Sequence, residues 1–457
     1  MQLPNRLSTP GFLQVLQWVA TPMSYMEACA KRYGDIFTID LNGSVVFVSN
    51  PQALQQILSN DTKELEAPGE LNKIFEPLVG KHSVITLSGS QHQRQRQMLT
   101  PPFHGERMRT YGDVINDVTQ GIMNEWETGK SFNARSATQA ITLRTIMQAV
   151  FGLYNSPRAQ KLEKLLSEML DKASTPLSVI FLYFPFLQRD LGSLSPWGRQ
   201  LRRQWKVDEL LYEEIRDRRE QPDPSRTDIL SLLMAARDEQ GQPMTDEELH
   251  DELITLLIAG HETTATALAW ALYWIHKLPE VREKLLDELD SLGDNPDPGT
   301  IFKLPYLNAV CCEALRIYPV AMLTFPREVK KPLSILGYQL EPNTLIIGSI
   351  YLLHQREDLY PEPKKFKPER FLERQFSAYE YLPFGGGVRR CIGLAFAQFE
   401  MKIALAKILS NLELKLVNNG EVHPKRRGLV TAPDRPIQLM VAGKRQVKSR
   451  SLETIPG

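Results

Sequence analysis

From Thr245 to Pro279 the chain carries a helical pattern long enough to cross an entire domain. Thr245 is a good N-cap, and Glu248 three residues later completes a capping box. Nothing interrupts the pattern, Asp246 to Leu278, before Pro279. That proline ends the helix and suits the start of the next one, Pro279 to Leu292. A helix of this length spans roughly 50 Å, so it has to be a central rod around which the other elements pack. Its middle, Leu253 to Gly260, is apolar on nearly every side, with Thr255 the exception, as a buried helix requires.

The pattern changes on either side of the rod. Asp35 to Leu41 and Val45 to Ser49 are strand-like runs joined at Asn42-Gly43, a strong hairpin signal. Helical patterns dominate from Pro51 to about Ala321. After Pro319, short β-like pieces (Leu333 to Leu340, Leu345 to Ser349) alternate with turns. A proline-rich, weakly periodic meander runs from His354 to Pro383, and a last helix covers Ile392 to Leu412. The 457 residues exceed a typical domain. Helices, a small sheet and a long meander nevertheless predict one domain, 1–457, mainly α with a minor β part. Its tails, about 1–20 and 443–457, are expected to be loosely ordered.

The segment Phe384-Gly385-Gly386-Gly387-Val388-Arg389-Arg390-Cys391-Ile392-Gly393 carries the sharpest chemical signal. Its glycines allow positive φ and let backbone approach a flat ligand closely. Backbone N–H groups near a helix start stabilise a thiolate and lower its pKa. A cysteine so placed suits the axial position of a haem iron, where sulfur pushes electron density onto the metal and favours O–O cleavage. Arg389 is placed to meet an anionic group such as a haem propionate. The plainer reading is a glycine turn before an ordinary helix with a buried cysteine. The other cysteines, Cys29, Cys311 and Cys312, show no C-x-x-C pair and no zinc spacing. So sparse a set argues against a disulfide framework and fits a reducing compartment.

The Cys391 loop resembles the signature of the cytochrome P-450 family of haem-thiolate monooxygenases, and three further motifs follow in that family's chain order. The resemblance runs from about Tyr33 to Pro436. It implies the single triangular fold of that family, enclosing haem b between the long central helix and the loop and helix that carry Cys391. Ala259-Gly260-His261-Glu262-Thr263-Thr264, in mid-rod, is similar to the oxygen-activation motif A-G-x-[DE]-T. By that resemblance Gly260 leaves room for O₂, Thr263 donates a hydrogen bond to it, Glu262 relays protons, and His261 is a bystander. Glu313-Ala314-Leu315-Arg316 is an E-x-x-R pair at i, i+3, which the family joins to a meander arginine, here Arg370 of Pro368-Glu369-Arg370-Phe371. These three are expected to be structural. The resemblance also assigns cofactor contacts to His92, Arg96, Arg327, Phe384 and Arg389, with propionates meeting the basic groups. Tryptophan is common in the family where His92 stands.

Apolar residues near these motifs are the candidate substrate walls: Leu71, Ile74, Phe75 and Leu78; Leu177, Val179, Phe181 and Phe184; Ala259; Ala321, Met322, Leu323 and Phe325. Together they suggest a lipophilic substrate. The phrases around Cys391 and Thr263 are similar to the branch holding fatty-acid and retinoid hydroxylases, and most of all to soluble bacterial, particularly cyanobacterial, members acting on long-chain fatty acids or terpenoids. No flavin or nicotinamide fingerprint is visible, so electrons are expected from a ferredoxin with its reductase, docking near Arg390 and Lys402. Lys+Arg and Asp+Glu both number 54, which gives no bulk attraction to nucleic acid. No secretory signal or membrane anchor is visible, since no run approaches the ~20 apolar residues of a span; a cytoplasmic enzyme is expected. Two other classes fit the cysteine loop, a peroxide-dependent or isomerising haem-thiolate enzyme and a non-catalytic haem sensor. Glu262 and Thr263 argue against the first.

Overall fold

A computed structural model of the chain describes residues 3–61, 63–105, 107–152, 156–173, 188–293, 295–417, 420–428 and 430–446. Seven helices position the site: α1 (Gly11–Ala20), α2 (Gly89–Leu99), α3 (Ala134–Phe151), α4 (Pro196–Glu220), α5 (Asp246–Lys277), α6 (Pro305–Ile317) and α7 (Leu394–Asn411). The rod expected from the sequence is α5. Thr245 Oγ1 accepts the Glu248 N–H at 3.2 Å, and Glu248 Oε2 accepts the Thr245 N–H at 2.9 Å. Acidic residues fill its first turn and His276 and Lys277 its last, the arrangement that the helix dipole favours.

Helix α5 is buried over most of its surface, and Trp270, Leu268, Ala269 and Ala271 are fully enclosed. Helix α3 lies along it. Thr138 Oγ1 donates to the Ala265 carbonyl at 2.8 Å and Thr142 Oγ1 to the His261 carbonyl at 3.1 Å. These hydroxyls satisfy themselves on rod carbonyls, so polar residues can sit in the interface without stranding a donor. One α5 strip escapes burial: Leu256, Ala259, Gly260 and Thr263 are partly or fully accessible. Their spacing puts them on a single helix face.

A five-stranded sheet flanks the helices in the order β1-β2-β5-β4-β3, with β1 (Ile36–Asp40), β2 (Ser44–Val48), β3 (Leu65–Glu66), β4 (Arg327–Val329) and β5 (Leu345–Gly348). The predicted hairpin is β1 and β2, with Ile36 opposite Val48. Its turn has Asn42 at φ 61° and Gly43 at φ 147°, conformations these residue types tolerate best. Strand β5 runs parallel to β2, and β4 pairs antiparallel with both β5 and β3. Arg327 therefore enters the sheet from a segment far from β2 in sequence. A separate hairpin, Leu333–Ile335 with Tyr338–Leu340, lies between β4 and β5 in sequence.

The N-terminal expectation needs correction. Residues 3–20 are not a loose tail: α1 buries Gln14, Val15 and Trp18. Trp18 joins Phe37 and Phe47 in a core cluster, its ring edge-on to Phe47 at 5.6 Å. At the other end a strand continues to Lys444, and residues 447–457 lie outside the described ones. So does the oily 177–187 stretch.

Candidate active site

The Cys391 loop is held by a small ladder of its own. The Cys391 N–H donates to the Phe384 carbonyl at 3.0 Å, and the Arg390 N–H to the Gly387 carbonyl at 3.1 Å. Gly385 and Gly387 sit at φ 64° and 66°, where a side chain would be strained. Asp61 clamps the loop from outside: its carboxylate accepts the Val388 N–H at 2.7 Å and is bidentate with Arg327. Arg327 also donates to the Gly386 carbonyl at 3.1 Å. Helix α7 begins three residues after Cys391.

Cys391 is an exposed residue, yet burial raises the pKa of its thiol, against the pull of the Gly393 N–H and the charges of Arg96 and Arg390. Both observations hold if the sulfur faces an internal hollow rather than the outer surface. This direction is opposite to the lowering expected from the helix start, because desolvation outweighs the local donors. The accessible α5 strip gives a second lining to such a hollow. Thr263 Oγ1 donates to the Ala259 carbonyl at 2.6 Å, a back-bond that serine and threonine commonly make within helices.

Basic groups gather at one edge. Arg94 of α2 donates to Glu248 at 2.7 Å and to Asp238 at 2.6 Å, which pins α2 to the start of α5. On that pinned helix His92 is buried, and its ring is held down to about 3 by burial and then by Arg389, Arg96 and Arg327. Burial likewise lowers the Arg96 pKa, while Cys391 pulls it upward. These mutual effects place Cys391, Arg96, His92, Arg327 and Arg389 in one neighbourhood. They differ in what they bind. Arg389 donates to the carbonyls of Ala67, Val84, Ile85 and Leu87. Arg327 is spent on Asp61 and the carbonyls of Phe325, Pro326 and Gly386. The side chains of Arg96 and His92 find no hydrogen-bond partner among the described residues. A partly buried guanidinium without an acceptor fits an anionic group supplied by a ligand.

The remaining predicted residues fall in three places. Glu262 turns toward α3, where it pairs with Arg135 and accepts from Gln139 Nε2 at 2.9 Å. His261 also faces α3, its Nδ1 2.9 Å from Thr142 Oγ1. Glu313, Arg316 and Arg370 form a buried network. Arg316 is bidentate to Glu313 at 2.6 and 2.8 Å, Arg370 Nε reaches Glu313 at 3.2 Å, and Arg316 caps the His354 carbonyl at 2.8 Å. His354 Nε2 in turn accepts the Leu382 N–H at 2.9 Å, two residues before Phe384. The network therefore reaches the root of the cysteine loop.

Of the apolar candidates, Leu71, Ile74, Phe75 and Leu78 are half-buried. Phe75 meets Phe325 edge-on at 6.5 Å, bridging two wall segments, and Ala259 and Ala321 are accessible. Met322 instead packs into the cluster of Trp18 and Tyr351, and Leu323 packs against the same cluster. Leu177, Val179, Phe181 and Phe184 lie outside the described residues. Lys402 is also corrected: it is buried, its Nζ donating to the Phe302 carbonyl at 2.9 Å over the Phe302 ring, so it cannot meet a partner. Asp61, Arg135 and His354 had no sequence signal, being single polar residues without a motif.

One exposed cysteine before α7, a strip of small side chains on the central rod, and unpaired basic groups at one edge are a donor set suited to an iron porphyrin with its carboxylates. The family model described as Cytochrome P450 matches residues 3–441. The chain belongs to the cytochrome P450 family. Curated P450 relatives from Mycobacterium tuberculosis are similar along their length. “Putative cytochrome P450 135B1” is 33% identical over 460 residues, covering 100% of this chain and 95% of the relative. “Putative cytochrome P450 138” is 31% identical, covering 95% of each. Among solved structures, retinoic acid-bound cyanobacterial CYP120A1 superposes with TM-score 0.84 at 24% identity, over 97% of this chain and 100% of that one. The haem domain of cytochrome P450DA gives 0.83 at 23% identity, over 97% and 99%. These superpositions establish the fold. As a P450 the protein is a haem b enzyme and a monooxygenase, an oxidoreductase that uses O₂. Among the described residues no helix is long and apolar enough to cross a membrane.

Proposed function

We propose that this P450 hydroxylates a long-chain fatty acid or terpenoid, retinoids included, with electrons from a ferredoxin and its reductase. The observation that carries the substrate reading is the apolar lining: Ala259 and Gly260 on α5, Ala321 and Phe325 after α6, and Ile74 and Phe75 opposite Phe325. None of these side chains can bind a polar substrate group, so fit and water exclusion select a lipophilic one. A structural neighbour that binds retinoic acid makes retinoids a sensible first probe. A lipid panel read by the spin-state shift of the Soret band tests the proposal. Low-spin to high-spin conversion with fatty acids or terpenoids supports it, and no shift with any member contradicts it.

Cys391 would hold the haem iron through its sulfur. When bound, the haem supplies the oxygen chemistry, aided by electron density from the sulfur. Arg96, with His92 beside it, would hold a propionate. Arg327 and Arg389 contribute positive charge at that edge but act mainly on backbone, holding the cysteine loop through Asp61 and bracing it against residues 67–87. Phe384 packs at the start of the loop. Gly260 lets α5 pack closely on α3, since a Cβ there would meet Ile146 at 3.1 Å, so the room it was expected to leave for O₂ is instead taken up by that contact. Thr263 presents a hydroxyl there, and Glu262 one residue away delivers protons from the side occupied by Arg135 and Gln139. An acid next to a hydroxyl suits stepwise proton delivery, which favours monooxygenation over a peroxide-dependent or isomerising enzyme. Electron entry is proposed on the Cys391 side, where Arg390 is exposed. Arg390→Glu should slow reduction by ferredoxin, and an unchanged rate would dismiss that docking site. A cytoplasmic location follows from a ferredoxin donor.

A further inference from the structure

Among the described residues, Asp61 is the one acid that forms an ion pair within the basic cluster beside Cys391. It stands two residues after the helix Pro51–Ser59, and only 7% of its surface is exposed. A carboxylate so enclosed needs a charged partner, and Arg327 supplies it. One Asp61 oxygen accepts both the Val388 N–H and an Arg327 Nη2 proton, at 2.7 and 3.0 Å, and the other accepts Arg327 Nε. The cysteine loop is shaped to admit this group. A Cβ on Gly387, already at φ 66°, would collide with the Asp61 carboxylate.

Arg327 has no hydrogen bond left for a ligand. A guanidinium carries five N–H groups. Nε and one Nη2 hydrogen go to Asp61, the other Nη2 hydrogen to the Gly386 carbonyl, and the two on Nη1 to the carbonyls of Phe325 and Pro326. Its charge remains, and a carboxylate in contact cancels that at close range. The charges of the cluster can then be counted. Arg327 and Arg96 both act on Arg389, so three guanidinium charges share one neighbourhood. Asp61 offsets one of them, and the two left over match the two carboxylates of a haem. His92 adds none at pH 7, since its ring is held down to about 3. Glu70 and Arg390 also act on the cluster but are exposed, where water and salt screen them.

We propose that Asp61 sets the charge at the haem edge, and with it the reduction potential of the iron. It is a positioning residue that acts through Arg327 and keeps the buried positive charge equal to the two propionates. The proposal rests on the propionate reading of Arg96 given above. Ferrous haem carries one positive charge fewer than ferric haem, so an unbalanced third arginine would favour the ferrous state. Asp61 therefore holds the potential down, while its bond to the Val388 N–H holds the loop.

The test is a spectroelectrochemical titration of the substrate-free holoenzyme in four forms. Asp61→Asn adds one positive charge at this edge, and its amide oxygen can still accept the Val388 N–H. Arg327→Gln removes one positive charge, and the double variant restores the wild-type count. The expected order of potentials is Asp61→Asn highest, wild type and double variant together, and Arg327→Gln lowest. Each step should change the ferrous-to-ferric ratio at a fixed electrode potential by about tenfold, 59 mV for a one-electron couple. The reduced carbon monoxide spectrum of each form verifies that its site is intact. A residue that only braced the loop would move the single and double variants alike. Asp61→Asn at the wild-type potential, or a double variant as high as Asp61→Asn, would therefore overturn the proposal. If Asp61→Asn takes up no haem because Arg327 is stranded, Arg327→Gln beside the double variant isolates the same carboxylate, and equal potentials there overturn it too. The propionate reading fails by a different result, an Arg96→Ala variant that retains haem as well as the wild type. Faster haem release from that variant, with no charge order among the four potentials, overturns the role of Asp61 alone.

Discussion

Arg96 and Arg389 show how the same side chain takes opposite roles in one neighbourhood. Arg389 is saturated by carbonyls, and Arg96 has none. Arg96→Ala should therefore release haem to apomyoglobin about tenfold faster, the loss of roughly 1.5 kcal/mol in one charge-assisted hydrogen bond, with little change in denaturant midpoint. Glu262 has a different test. Glu262→Gln keeps a hydrogen bond to Gln139 but cannot carry the proton, so product formation per electron pair should fall by on the order of 10²-fold with peroxide released instead. Unchanged coupling would remove Glu262 from proton delivery. The buried histidines fix an acid limit. His354 is held down to about 3 by burial and then by Arg316. The unfolded chain binds that proton below its ordinary pKa of about 6.5, so stability present at pH 7 is lost as pH falls from 6.5 toward 3. His354→Gln, whose amide oxygen can still accept the Leu382 N–H, should flatten the dependence of the urea midpoint on pH between 7 and 5. An equally steep slope would contradict the assignment.

At the level of elements, the capped rod, the Asn42-Gly43 hairpin and the α7 start after Cys391 were legible because each depends on local chemistry: a capping box, two positive-φ residues, a glycine-rich turn. The partners across the fold were not. Asp61 reaches Arg327 across 266 residues of sequence, and Arg135 reaches Glu262 across 127; no local pattern announces either. The burial of Lys402 was missed for a related reason, since helix periodicity places a residue on a face without saying what covers it. The E-x-x-R motif was read correctly as a pair, but its reach through His354 to Leu382 belongs to tertiary structure. Glu313→Ala should cost about 3–5 kcal/mol by stranding two buried arginines, seen as a lower urea midpoint and weaker haem retention together. The α4–α5 contact has its own signature. His250 lies 3.1 Å from Asp208 and 2.9 Å from Asp251, stacked on Tyr212. Burial opposes its charge, but hydrogen bonds to Asp208 and Asp251 outweigh that and raise it to about 9. Its contribution is complete below about pH 6.5 and lost as pH rises through 9. Asp208→Asn should reduce the loss of thermal stability between pH 7 and 10.

Across the whole molecule, a buried rod, a sheet that delivers Arg327, and a meander braced by Arg316 converge on one loop. The rod contributes the strip of small side chains and Thr263, the sheet and Asp61 hold the loop, and α2 brings Arg96 to the edge. The long rod makes this arrangement possible, because one helix can carry both the capping contact to α2 and the accessible strip at mid-length. Every part of that account depends on Cys391 as the sulfur ligand of the haem. The direct measurement is the absorption spectrum of the reduced, carbon monoxide-bound protein, wild type beside Cys391→Ala. A strongly red-shifted Soret band in the wild type that is lost in the variant is the predicted result; a folded wild type without that band, or a variant that keeps it, would contradict the account.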